Sequence, residues 1–177
     1  MYSVNIDPVI LRLGQIQLTY YALVYILGFL ACLFVLLRAV KNKEISLKKE
    51  QVYDLTVFLI IGVVIGARLF HVFFWNFSYF LDNPLKIFYI WEGGFSFHGG
   101  LLGAIIALGI YSKKYKTAFY RLADIIVLPA ILVLGFGRLA NFVNQEIVGT
   151  VALFPFCFVF EGFHGCRHPV QIYAAAG

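Results

Sequence analysis

Charge is scarce in this sequence. Only 13% of its 177 residues are Asp, Glu, Lys or Arg, against about 25% in an ordinary soluble domain. Apolar residues make up 62%, and the mean hydropathy is +0.86. A chain of this size cannot hide that much apolar surface from water, which excludes a soluble fold and leaves an integral membrane protein. Cysteine is sparse too: Cys32, Cys157 and Cys166 do not make a disulfide framework. The first seventeen residues, MYSVNIDPVILRLGQIQ, lack the basic stretch and small-residue cleavage site of a removable signal peptide. No internal repeat is visible, and no motif calls for a metal, nucleotide or other cofactor, so none is expected.

What is abundant is long apolar runs. Four segments, at 18–37, 54–75, 96–112 and 122–142, approach the length needed to cross a hydrocarbon core of about 30 Å. The expectation is therefore a single all-α polytopic membrane domain over 1–177, with at least four transmembrane helices. Basic residues orient it. The stretch after the first run holds Arg38, Lys41, Lys43, Lys48 and Lys49, and the stretch after the third holds Lys113, Lys114, Lys116 and Arg121. The other two sides have only Arg12 and Lys86. This asymmetry places the N-terminus outside and both basic loops in the cytoplasm. It also accounts for the net charge of +5 without nucleic acid as a partner.

Arg68 and Arg138 lie inside apolar runs, where a buried charge is costly and ordinarily faces a cavity or a partner. On the expected topology Tyr21, Arg68, His98, Arg138, Asn141, Asn144 and Glu146 all fall in the outer half of the membrane. In GFGRLANFVNQE, a continuing helix would put Arg138, Asn141 and Gln145 on one face at i, i+3 and i+7. A guanidinium beside amide donors suits paired phosphate or carboxylate oxygens. The competing reading is a hydrogen-bonded cluster that only joins helices. His98, in GGFSFHGGLLG, could serve as a general base or as a structural residue. Gly62, Gly66, Gly99 and Gly103 have helix-packing spacing. Cys157, His164, Cys166 and His168 could hold zinc, although H-x-C-x-H is not a usual ligand spacing; a Cys157–Cys166 disulfide is the other option.

FHGG at 97–100, GRLANFVNQE at 137–146 followed by Gly149, and RHPVQIY at 167–173 resemble prolipoprotein diacylglyceryl transferases. TYYALVYILGF around Tyr21 and GARLF around Arg68 extend the likeness along most of the chain. The resemblance implies an enzyme of the bacterial inner membrane with its site toward the outer side. Its reaction would be transfer of a diacylglyceryl group from phosphatidylglycerol to the lipobox cysteine of a prolipoprotein. The products would be a thioether and glycerol phosphate. The implied catalytic residues are His98 and Arg138, and the substrate-binding residues are Tyr21, Arg68, Asn141, Asn144, Glu146 and Gly149. The resemblance also implies seven spans and a further arginine beyond residue 177, so the chain is expected to continue. Two positions depart from the family pattern: Ala140 replaces a glycine, and Ala174 replaces an acidic residue. A transporter for an anionic lipid or metabolite is the alternative, but it would favour repeats and a midplane site.

Overall fold

The computed structural model describes residues 2–14, 16–152 and 156–177. The chain folds as two compact units, one of residues 1–28 with 129–177 and the other of residues 29–128. The elements run β1 (Tyr2–Ser3), β2 (Val9–Leu13), β3 (Ile16–Thr19), α1 (Tyr20–Lys41), α2 (Lys49–Phe74) and α3 (Phe77–Asp82). Two 3-10 turns follow at Pro84–Phe88 and Ile90–Glu92, then α4 (Phe97–Tyr115), α5 (Phe119–Val143), β4 (Phe158–Val159) and α6 (Val170–Ala176). Helices α1 and α5 each contribute residues to both units.

Three helices, α1, α2 and α5, are long and apolar enough to cross a membrane by length and composition. They mark an integral membrane protein. The third apolar run is also a helix, α4, yet it falls outside that set. His98 and two glycines at its start and Lys113 and Lys114 at its end lower its average hydropathy. The four short strands are a departure from a wholly helical chain. They form two two-stranded sheets, β1 parallel to β4 and β2 antiparallel to β3. The β2–β3 hairpin joins VILRL, rich in β-branched and apolar residues, to the alternating IQLT, with Gly14 at φ 62° entering its turn. Thr19 closes the hairpin and its hydroxyl accepts from the Ala22 amide at 3.3 Å, which caps the start of α1.

In the unit of residues 29–128 the core gathers Leu36, Val52, Leu55, Leu59, Leu108, Tyr111 and Leu122, all nearly or fully buried. Tyr111 donates its hydroxyl to the Gln51 carbonyl at 2.8 Å. Helices α2 and α4 meet through their glycines. A Cβ on Gly62 would lie 2.6 Å from the Gly103 carbonyl oxygen, and one on Gly66 would overlap the Gly99 carbonyl. Helices in lipid gain little from hiding apolar surface, so such close backbone approach is what holds them together.

Candidate active site

Helix α5 ends at Val143, and that ending creates the cluster. The Glu146 amide donates to the Asn141 carbonyl at 2.9 Å and the Gln145 amide to Phe142 at 3.1 Å. Gln145 adopts φ 57° between them. These two bonds with a left-handed residue form a Schellman-type helix stop, which glycine usually occupies. Gln145 therefore leaves the face that a continuing helix would have given it. Its side-chain oxygen instead accepts from the Glu161 amide. Arg138 and Asn141 remain one turn apart on the helix.

The same turn folds Glu146 back over the helix end. Its Oε2 accepts from the Tyr21 hydroxyl at 2.8 Å and from Asn141 Nδ2 at 3.1 Å. Its Oε1 accepts from Asn144 Nδ2 at 3.4 Å. Asn141, which is buried, also donates to the Tyr21 hydroxyl oxygen. Four of the residues expected at the site, Tyr21, Asn141, Asn144 and Glu146, thus form one network although Tyr21 is 125 positions from Glu146. Glu146 stays exposed, so its outer edge can meet a ligand. Arg138 is close enough for its charge to act on the Tyr21 hydroxyl. It is exposed, and no hydrogen bond or ion pair engages its guanidinium among the described residues.

Gly149 lies where the chain passes against the RHPVQIY segment. A Cβ there would stand 2.5 Å from the His168 carbonyl oxygen and 2.8 Å from Val170 Cγ1. The Gly149 carbonyl accepts from Arg167 Nη1 at 3.0 Å, and the Glu146 carbonyl accepts from Gln171 Nε2 at 2.6 Å. Neither Arg167 nor Gln171 stands out as a site residue from sequence alone. The RHPVQIY motif was the available signal, because a glutamine in an otherwise apolar helix needs a partner when buried. Cys157 and Cys166 are joined as a disulfide. That pairing leaves no His/Cys cluster able to hold a metal among the described residues.

Arg68 and His98 lie in the unit of residues 29–128. Arg68 is buried, and five main-chain carbonyls face its five N–H groups. Nε donates to Ile87 at 2.9 Å, Nη1 to Gly93 and to Gly94 at 3.2 Å, and Nη2 to Lys86 and to Tyr89 at 3.3 Å. Phe80 covers the guanidinium plane at 5.2 Å. Arg68 gathers residues 86–94 into a folded segment, beside a cavity of about 300 Å³ also lined by His71, Asn76, Tyr79 and Glu92. Within that segment Glu92 accepts from Lys86 and pushes its ammonium above the usual lysine range. His98, the second residue of α4, is exposed, with its ring stacked 6.2 Å from Phe70.

A family model described as prolipoprotein diacylglyceryl transferase matches residues 8–177. The chain belongs to that family. It is 47% identical over 173 residues to the phosphatidylglycerol–prolipoprotein diacylglyceryl transferase of Geobacter sulfurreducens, covering 97% of this chain and 66% of the relative. The enzyme of the same name from Vibrio atlanticus is 43% identical over 173 residues, with 97% and 63% covered. That of Aliivibrio salmonicida is 42% identical over 173 residues, with 97% and 61% covered. The chain spans slightly less than two thirds of the length of these relatives. The Tyr21–Asn141–Glu146 network lies within one compact unit.

Proposed function

We propose that this chain supplies lipid-binding and reacting groups for moving a diacylglyceryl group from phosphatidylglycerol to a prolipoprotein cysteine. One observation carries the reading: the Glu146 carboxylate is held by Tyr21, Asn141 and Asn144, and Asn141 lies one helical turn from Arg138, whose guanidinium has no hydrogen bond or ion pair among the described residues. The network fixes Glu146, and Glu146 in turn can accept from the head-group hydroxyls. Arg138 is free to donate to phosphate oxygens.

In the reaction the substrate thiolate attacks the glyceryl carbon bonded to the phosphate oxygen. The S–C bond forms, the C–O bond breaks, and the electron pair leaves with glycerol phosphate. The phosphodiester carries one negative charge and the departing monoester gains a second, so Arg138 binds the transition state more tightly than the substrate. A thiol of ordinary pKa near 8.5 is mostly protonated at neutral pH, and we assign its deprotonation to His98. Arg68, with its donors already engaged, serves by shaping the outer segment 86–94. Gly149 serves by allowing the close approach of the 167–171 segment.

The test is transfer of lipid onto a lipobox peptide in membranes, with the chain alone and with the chain extended by the uncovered third of a relative. Transfer by the extended protein is expected. No transfer, with phosphatidylglycerol movement across the bilayer instead, would favour the transporter. In the active protein His98→Gln should lower kcat about a hundredfold with little change in phosphatidylglycerol binding, since only proton transfer is lost. Near-normal kcat would return His98 to a structural role.

The same reading places four spans in this chain, seven in the whole protein, the N-terminus outside, and the Glu146 network facing the outer side of a bacterial inner membrane. The disulfide supports that orientation, because such bonds persist in oxidising compartments. Lys43→Cys and Lys114→Cys should resist an impermeant maleimide in intact cells, while Asn83→Cys is labelled. Labelling at 43 with protection at 83 would invert the assignment.

A further inference from the structure

We infer that the Cys157–Cys166 disulfide is a positioning element for the Glu146 segment, so that turnover depends on the oxidation state of this pair; the turnover half of this statement rests on the function proposed above. The bond closes a loop with a sequence separation of 9, and that loop together with the residues just after it grips the stretch carrying Asn144, Glu146 and Gly149. Inside the loop, the Glu161 amide donates to the side chain of Gln145, the residue between Asn144 and Glu146. At its far end the Cys166 carbonyl accepts from Ala152 at 2.8 Å. Arg167, next in sequence, donates to the Gly149 carbonyl at 3.0 Å, and the His168 amide donates to Thr150 at 3.1 Å. Phe158 and Phe160 pack edge-on against Phe142, in the last turn of α5. The grip therefore lies on both sides of Glu146.

Beside the bond, the Phe158 and Arg167 main chains exchange hydrogen bonds at 3.0 and 2.8 Å and β4 pairs with β1, so the base of the loop has other support, while its tip has little. Residues 161–165 are exposed, and Gly162 and Gly165 sit at φ 76° and 77°. Glycines lose the most freedom on ordering. A crosslink removes much of that freedom in advance, by restricting the states open to the unpinned loop. Reduction would release the loop from Gln145, Gly149 and Thr150 and let the Schellman turn at Gln145 relax. Glu146 would then lose its fixed direction, while the helix core of residues 29–128 would be untouched. The half-exposed Cys166 offers the sulfur that a thiolate can reach, whereas Cys157 is buried.

The chemistry balances as thiol–disulfide exchange. Dithiothreitol gives two electrons and two protons, the S–S bond becomes two thiols, and the reductant closes to its own disulfide. Oxidised glutathione reverses the change. The experiment uses the full-length protein carrying Cys32→Ser, which removes the remaining cysteine of this chain and should leave basal activity unchanged. On reduction, the amides of Ala152, Glu161 and His168 should exchange hydrogen at least about tenfold faster, with no change around Tyr111. The kcat should fall at least about tenfold with KM for phosphatidylglycerol within about threefold, and reoxidation should restore it. Cys157→Ser/Cys166→Ser should match the reduced protein and no longer respond to dithiothreitol. Unchanged exchange on reduction would overturn the inference, because the loop would then be held without the bond. Faster exchange with unchanged kcat would overturn it too, because the loop would not position the site. An oxidised protein with no transfer activity would sink the function proposed above instead, and the exchange contrast would still decide whether the bond holds the segment.

Discussion

Arg138→Lys should lower kcat for lipid transfer by about 30- to 1000-fold, while KM for phosphatidylglycerol changes little. The size follows from removing a bidentate contact to a leaving phosphate in a partly desolvated site, worth about 2–4 kcal/mol in the transition state. Lysine keeps the charge but offers a single point donor in place of the planar fork. The loss falls on kcat because the second phosphate charge exists only once the C–O bond is breaking. Within the folded chain the substitution should be mild. Arg138 is exposed and engages no carboxylate among the described residues, so its replacement strands no buried partner. Asn141→Ala should cost less in turnover, since Asn141 acts on the substrate through Glu146 and Tyr21. The measurement is kcat and KM of a folded Arg138→Lys preparation in phosphatidylglycerol-containing vesicles. Unchanged kcat would make Arg138 an interfacial anchor and end the phosphate-cradle idea.

The parts legible in the sequence are those set by local pattern. The apolar runs at 18–37, 54–75 and 122–142 correspond to helices Tyr20–Lys41, Lys49–Phe74 and Phe119–Val143, and each end lies within a few residues of the expected one. The paired glycines of α2 and α4 pack as their four-residue spacing implied. Motif content brought out Tyr21, Asn141, Asn144 and Glu146, which the fold joins by direct hydrogen bonds.

What was not legible depends on geometry that no window of sequence contains. Nothing in FVNQE announces that a glutamine will take the left-handed position at the helix stop, where glycine is the expected residue. That single turn decides that Glu146, and not Gln145, faces Asn141. The carbonyl partners of Arg68 were not visible either, because every residue type has a carbonyl. Gln171 reaches the Glu146 carbonyl across 25 positions. The hairpin at the N-terminus was hidden because its strands are only five and four residues long and run directly into α1.

Gly103→Ala should destabilise the protein by at least about 3 kcal/mol, while Gly109→Ala, six positions along the same helix, should be neutral or stabilising by up to about 1 kcal/mol. The two substitutions are chemically identical and have the same intrinsic effect on helix propensity. Their surroundings differ. A Cβ on Gly103 would overlap the Gly62 carbonyl oxygen and lie 2.7 Å from its carbon and 3.1 Å from Gly66 Cα. All three are backbone atoms, which cannot rotate aside, so α2 and α4 would have to separate. A Cβ on Gly109 would meet nothing within 4 Å. Separation would not be repaid by lipid, because the attraction between these helices comes from contact and not from expulsion of water. It would also disturb Gly66 and Gly99, which share the same contact line, and so loosen the start of α4 that carries His98. Unfolding midpoints of the two variants in mixed dodecylsulfate micelles provide the comparison. If both alanines shift the midpoint alike, the glycine line is not what joins these helices. The positioning of His98 would then rest on the Phe70 stack and the Ser96 amide bond to the Ala67 carbonyl at 3.0 Å.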